Sequence, residues 1–156
     1  MLHSKRRHSF SRHSKLFNDG KPVGKTKVLL WGGHNDVYLP EKKHLRFKRM
    51  GLLPRFQFEL IDYTTGESLV WMKRSSRGPF CWDLSLSTGL CTLDADAKDK
   101  NLRLVMEQKD QAVAEVSSAS GGWAVEPISE IALVDQVLIG LTYSKIWTAM
   151  GTLDGG

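Results

Sequence analysis

Arg55-Phe56-Gln57-Phe58-Glu59-Leu60-Ile61-Asp62-Tyr63-Thr64-Thr65-Gly66-Glu67-Ser68-Leu69-Val70-Trp71-Met72-Lys73 is the stretch that decides the fold. Phe56, Phe58 and Leu60 alternate with Arg55, Gln57 and Glu59, the period of a strand with one dry and one wet face. Asp62 to Glu67 is turn chemistry, with Gly66 able to take positive φ, and Leu69 to Lys73 returns as the partner strand. Outward from this hairpin the same period recurs. Leu45 and Phe47 alternate with His44, Arg46 and Lys48. Cys81 to Leu86, a turn through Ser87-Thr88-Gly89, and Leu90 to Leu93 make a second hairpin, whose spacing suggests Cys81 and Cys91 as cross-strand neighbours. Asp94 to Asn101 is a polar connection. Leu102, Leu104 and Met106 then share one face, Ala112, Ala114 and Val116 another, and Trp123 with Val125 forms a last short strand. About ten strands at short regular spacing predict an antiparallel sandwich or barrel.

The end of the chain breaks this period. Pro127 sits where a helix favours its first residue, and a helix is predicted over about 128–150, with Ile131, Leu133, Val137, Ile139, Leu141 and Ile146 spread around it rather than along one stripe. Such a helix is wrapped by protein or set in a membrane. Glu130, Asp135, Gln136 and Lys145 argue against a transmembrane span, since an ionised group in hydrocarbon costs about 2.5–3.5 kcal/mol. The reading is a mainly β fold, a barrel of about 10–12 antiparallel strands wrapped around a hydrophobic C-terminal helix.

The 156 residues suit one domain, with 41% hydrophobic and 25% charged residues. Two cysteines exclude a disulfide scaffold. The net charge of +5 is unevenly placed: residues 1–27 hold eight Lys or Arg against Asp19 alone, and the remainder is slightly acidic. That arm, with scattered apolar residues only, is expected to be disordered. It lacks the apolar run of a secretory signal, which implies an intracellular, cytoplasmic protein with peripheral membrane or nuclear association. The Arg- and Ser-rich, acid-free Met1 to Lys15 leaves a mitochondrial presequence open.

The strand series, the segments Ala114-Glu115-Val116 and Gly122-Trp123-Ala124-Val125-Glu126, the strand Phe58 to Asp62 leading into Thr65-Gly66, and the apolar C-terminal helix together resemble the Tubby C-terminal-like superfamily, which includes phospholipid scramblases and LURP-one-related proteins. The resemblance covers residues 28–153 and lies in order and pattern rather than in a signature. It implies a strand barrel, usually of about twelve strands, closed around a central helix. The cysteine-rich and proline-rich stretches of animal scramblases are absent, so scramblase activity is not implied. A binding module is, with phosphoinositide head groups as ligands.

A candidate site follows from charge. Lys42, Lys43, Arg46, Lys48, Arg49 and Arg55 stand against Glu41 alone on what read as two neighbouring strands and their turn, and Lys73, Arg74 and Arg77 follow one hairpin later. Arg forks and Lys point charges are what phosphate oxygens bind. A solvated sheet face is the competing reading. The leading function is a non-enzymatic adaptor for phosphoinositides or an anionic membrane, with a protein partner also open and no cofactor. Nuclear or nucleic-acid binding through the basic arm is one alternative. An enzyme with a site near His34, using Cys81 or Cys91, is the other.

Several motifs fail on their spacing. Gly20 to Thr26 has three residues between its glycines where a phosphate loop needs four, and Pro22 removes an amide. Asp94, Asp96 and Asp99 meet Lys98 and Val105 where a calcium loop needs ligands. His3, His8 and His13 lack metal-pair spacing, and no metal site is expected. Trp31, Trp71, Trp82, Trp123 and Trp147 read as core rather than as stacking platforms.

Overall fold

In the computed structural model the described residues are 1–6, 13–28, 34–50, 57–75, 81–94, 101–106, 111–119 and 122–154, with the backbone alone over 101–106 and 146–154. They form twelve strands and one helix: β1 Leu2–Arg6, β2 His13–Asn18, β3 Lys21–Val28, β4 Asn35–Leu39, β5 Lys43–Arg49, β6 Gln57–Asp62, β7 Ser68–Arg74, β8 Cys81–Leu86, β9 Gly89–Asp94, β10 Asn101–Met106, β11 Gln111–Ala119, β12 Gly122–Pro127 and α1 Leu133–Asp154. Each strand pairs antiparallel with the next in sequence, and β1 also pairs with β12, completing a barrel. The seam is short, Leu2 opposite Val125 and His3 opposite Ala124. At this seam Gly122 approaches so closely that a Cβ would lie 2.2 Å from the Ser4 carbonyl oxygen.

The hairpin that decided the fold is present as β6 and β7, with Gly66 at φ 75°. Alternation sends Leu45 and Phe47 of β5, Leu60 of β6 and Met72 of β7 into the lumen, each fully buried. Burying one such side chain is worth about 1.5–3 kcal/mol. Trp82 and Trp123 join this core, at 6% and 5% exposed. Trp71 does not: its neighbours Val70 and Met72 take the inward positions, so it lies half-buried on the outer face. Trp31 and the Trp147 side chain fall outside the described residues.

The helix runs through the lumen. It packs against β12, β1 and β11 and also against β7, which stands across the ring from β1. Contacts on opposite walls require an element between them. Val137, Leu138 and Ile139 are fully buried. Three successive buried residues cannot share one helical face, so apolar groups all round match apolar surroundings all round. Among the described residues no helix is long and apolar enough to cross a membrane.

Two expectations are corrected. The helix begins at Leu133 rather than near 128, because Pro127 ends β12 and the chain then bends, the amides of Ile128 and Ser129 both donating to the Val113 carbonyl. Asp135 in its first turn accepts hydrogen bonds from the Ser87 amide at 3.0 Å and from the Ser87 hydroxyl, which fastens the helix to the β8–β9 turn.

The basic arm, expected to be disordered, instead supplies β1 to β3. Their inward positions hold Leu2, Ser4, Leu16 and Thr26, each at most 5% exposed, while Lys5, Lys15, Lys25 and Lys27 point outward. Few apolar groups suffice here because β1 and β3 are paired on both sides, to β12 and β4 as well as to β2, and so belong to one cooperative ladder.

Gly140 is where helix and wall meet most closely: a Cβ there would fall 2.3 Å from the Trp123 ring. Trp123 is buried and has nowhere to retreat. Gly140→Ala is expected to lower stability by about 1–3 kcal/mol through overpacking. Urea denaturation checks this, and an unchanged midpoint would show that the helix does not bear on Trp123.

Candidate functional site

Among the described residues the predicted basic cluster is spread along one strand and onto a second, two strands away. Lys42 lies in the turn before β5 at φ 57°, and Lys43, Arg46, Lys48 and Arg49 all lie on that one strand. Arg46 and Lys48 point outward. Lys43 and Arg49 share the alternation of Leu45 and Phe47, and sit exposed at the two ends of the strand, about 20 Å apart at the rise of about 3.3 Å per residue. Lys73 and Arg74 end β7, two strands away. Arg55 and Arg77 fall outside the described residues.

Several of these cations are already engaged. Arg46 Nε donates to Asp36 Oδ1 at 2.8 Å and Nη2 to Oδ2 at 3.3 Å, a fork on a carboxylate whose side chain is 6% exposed. Burial pushes the Asp36 carboxyl up, but the Arg46 hydrogen bond and charge, joined by His44, outweigh it and hold the group below the ordinary carboxylate range. The same bond pushes the Arg46 guanidinium up. Lys48 Nζ lies 3.4 Å from Glu59, and Lys73 Nζ lies 5.2 Å from the Trp71 ring.

Beside Arg46 the outer face carries a column of stacked rings. Tyr38 on β4 and His44 on β5 are cross-strand partners with centroids 4.5 Å apart, and Tyr63, after β6, stacks on His44 at 4.3 Å. Lys25 Nζ lies 5.3 Å from the Tyr38 centroid and the Arg46 guanidinium 4.4 Å from that of Tyr63. Each tyrosine thus has an imidazole and a cation over its ring. Tyr63, at the end of the column, remains 49% exposed.

Sequence reading missed the most coherent group of cations because it lies on the arm. Lys5 on β1 stands opposite Lys15 on β2, and Lys15 stands opposite Lys25 on β3. All three alternate with buried neighbours, Ser4, Leu16 and Thr26, so all three point outward, and all are exposed. Adjacent strands lie about 4.8 Å apart, so the row crosses the sheet in steps of that size. Tyr38 continues it, opposite Lys25. The signal available in the sequence was the alternation Lys25-Thr26-Lys27-Val28. Without a large apolar residue at the inward positions it does not read as a strand.

The residues of the catalytic alternative stand apart. His34 precedes β4 at one rim, and burial, then the charges of Arg46 and Lys48, pushes its imidazole down. Cys91 lies towards the other rim, beside the β8–β9 turn. Cys81 shares the rim of His34, but β5, β6 and β7 intervene. Neither cysteine is in a disulfide and the two are not neighbours, since Cys81 pairs with Asp94 and Cys91 with Leu84. Burial, with the charge of Asp135, pushes the Cys91 thiol up to about 11. Among the described residues no three His, Cys, Asp or Glu side chains could hold a metal ion.

No family model matches this chain, and no curated protein or solved structure matches it. Its fold and surface define a twelve-stranded barrel with a helix in the lumen and a basic outer face on β1 to β5.

Two outcomes follow. Asp36→Asn is expected to cost about 1.5–3 kcal/mol at neutral pH, the worth of a charge-assisted bond in a partly buried site. Because the Asp36 pKa is depressed in the folded protein, its contribution is complete above the unfolded value of about 3.9 and is lost as pH falls through the folded value. The gap between wild type and variant in urea melts therefore narrows below about pH 4; a gap independent of pH would sink the assignment. Iodoacetamide at neutral pH should leave Cys91 unmodified in the folded protein and label it in urea, as a protonated, buried thiol requires. Rapid native labelling of Cys91 would contradict its burial.

Proposed function

We propose that this chain is a non-enzymatic module that binds an anionic phospholipid surface, phosphoinositide-containing membrane above all, through the outer face of β1 to β5. The observation that carries the reading is the division of the barrel. The lumen is occupied by α1, which turns recognition outward, and the outward side of β1 to β3 bears Lys5, Lys15, Lys25 and Lys27 with no ion pair among the described residues. Lysine near an anionic membrane contributes about 1 kcal/mol per residue, so a small group of them suffices for peripheral attachment.

The Tubby C-terminal-like resemblance belongs to the same proposal, because a twelve-stranded barrel around a central helix is the architecture it implies. The basic residues of β5 take a secondary part in this reading, and Lys73 and Arg74, on β7, lie outside it. Lys42 and Lys43 add charge at one rim, and Arg46 serves the scaffold through Asp36 rather than the ligand.

Co-sedimentation with vesicles tests the function. The full chain should bind vesicles containing phosphoinositide, ignore vesicles of phosphatidylcholine alone, and release as salt shortens the Debye length. Lys15→Glu with Lys25→Glu should weaken binding about tenfold or more. Equal binding to both kinds of vesicle, or none to either, would overturn the proposal.

A further inference from the structure

The three lysines Lys5, Lys15 and Lys25 occupy directly opposed positions on β1, β2 and β3, an arrangement that works against the stability of the sheet. Like charges facing each other across strands repel, and cross-strand pairs of opposite charge are the stable alternative. The neighbouring row shows that alternative: Lys27 stands opposite Asp36, which stands opposite Arg46. In the row of three, no acid intervenes. Asp36 is held by Arg46, and Asp19 by the N-terminal ammonium at 2.6 Å. Neither lies in the row. A repulsive arrangement carried on a paired, inwardly packed scaffold has the form of a site whose missing charge comes from a ligand.

We infer that Lys5, Lys15 and Lys25 form one three-point site for an anion carrying phosphate groups in a row, lying across the strands with Tyr38 marking its end. The inference rests on the reading of the outer face as anion-binding and adds the ligand's shape to it. A line of ammonium groups stepped at about 4.8 Å spans about 10 Å, so a single phosphate meets one or two lysines while a chain of phosphates meets all three. The scaffold sets this geometry before the ligand arrives. Ser4, Leu16 and Thr26 are packed inside, Lys25 is drawn over Tyr38, and Gly24 lets β3 lie tight against β4, a Cβ there falling 2.2 Å from the Tyr38 carbonyl oxygen. The ligand chemistry is shared by a soluble oligophosphate and by a lipid head group bearing several phosphates.

Calorimetry on the full chain with inorganic tripolyphosphate and with orthophosphate, at matched ionic strength, tests the inference. Tripolyphosphate is expected to bind at least about tenfold tighter, one further lysine–phosphate contact being enough for that ratio. Lys15→Gln, at the centre of the row, should remove the preference and raise the melting temperature of the free protein by relieving repulsion. Lys73→Gln, an exposed cation outside the row, should change neither. Vesicles with a bisphosphorylated inositol head group and vesicles of equal surface charge made with phosphatidylserine identify the source: loss of discrimination between them in Lys15→Gln assigns the site to the lipid, and retained discrimination with lost tripolyphosphate binding assigns it to a soluble ligand. Equal affinities for the two phosphates, or equal effects of the two lysine variants, would overturn the three-point site. Vesicle binding that persisted through that result would leave membrane attachment standing as an effect of diffuse charge.

Discussion

Everything in this molecule depends on burying a helix that is apolar on all sides. A helix of that composition is insoluble by itself and too polar at Asp135 and Lys145 to rest in hydrocarbon, so a protein wall must surround it. Twelve strands supply the wall. The contact of Gly140 with Trp123 sets how near the helix lies to β12, and the bonds from Ser87 to Asp135 set how far it enters. A buried carboxylate is tolerable only because those donors satisfy it. Three turns further along the helix, Lys145 is half-buried above Phe58, and desolvation pushes its ammonium down. The helix is anchored by polar atoms where it enters the barrel.

Occupation of the lumen shapes the surface chemistry. With the inward positions committed to the helix, outward positions carry the remaining chemistry, and they divide by sector. On β4 to β6 the two mid-strand cations are compensated, Arg46 by Asp36 and Lys48 by Glu59, and the rings of Tyr38, His44 and Tyr63 fill the space between. On β1 to β3 they are not. The uncompensated sector is therefore distinguished by its pairing and not by its number of charges. Arg46 illustrates the difference: a guanidinium on a sheet face counts as a ligand group by composition, and as a structural one once its carboxylate is seen.

How much was legible follows from the same geometry. Wherever the inward positions carry Leu, Phe, Val or Met, as on β5 to β9, the strands could be read with their boundaries nearly in place. On β1 to β3 the inward positions include Ser4, Gly24 and Thr26, small or polar residues beside which hydrophobic periodicity gives no signal. The helix packs on β1, β11 and β12, where Ser4 and Ala114 take inward positions beside the large Trp123. The helix itself was legible by composition, its start was not, because Pro127 suits the end of a strand as well as the first turn of a helix. The candidate cations of β5 were read as one patch because the sequence lists them together. Alternation and the strand's length separate Lys43 from Arg49, and only register reveals that Lys5, Lys15 and Lys25 are neighbours.

The seam between β1 and β12 joins segments from opposite ends of the chain, which gives the barrel a history. During synthesis β1 to β3 emerge first, and β1 has an unpaired edge until β12 and the helix have followed. Open edges recruit other strands, and lysine is a residue that blunts them. Closing a loop of that span is entropically costly and slow, so the exposed interval is long. Lys5 lies on that edge, so one charge that burdens the finished sheet also discourages pairing of like edges in the nascent one.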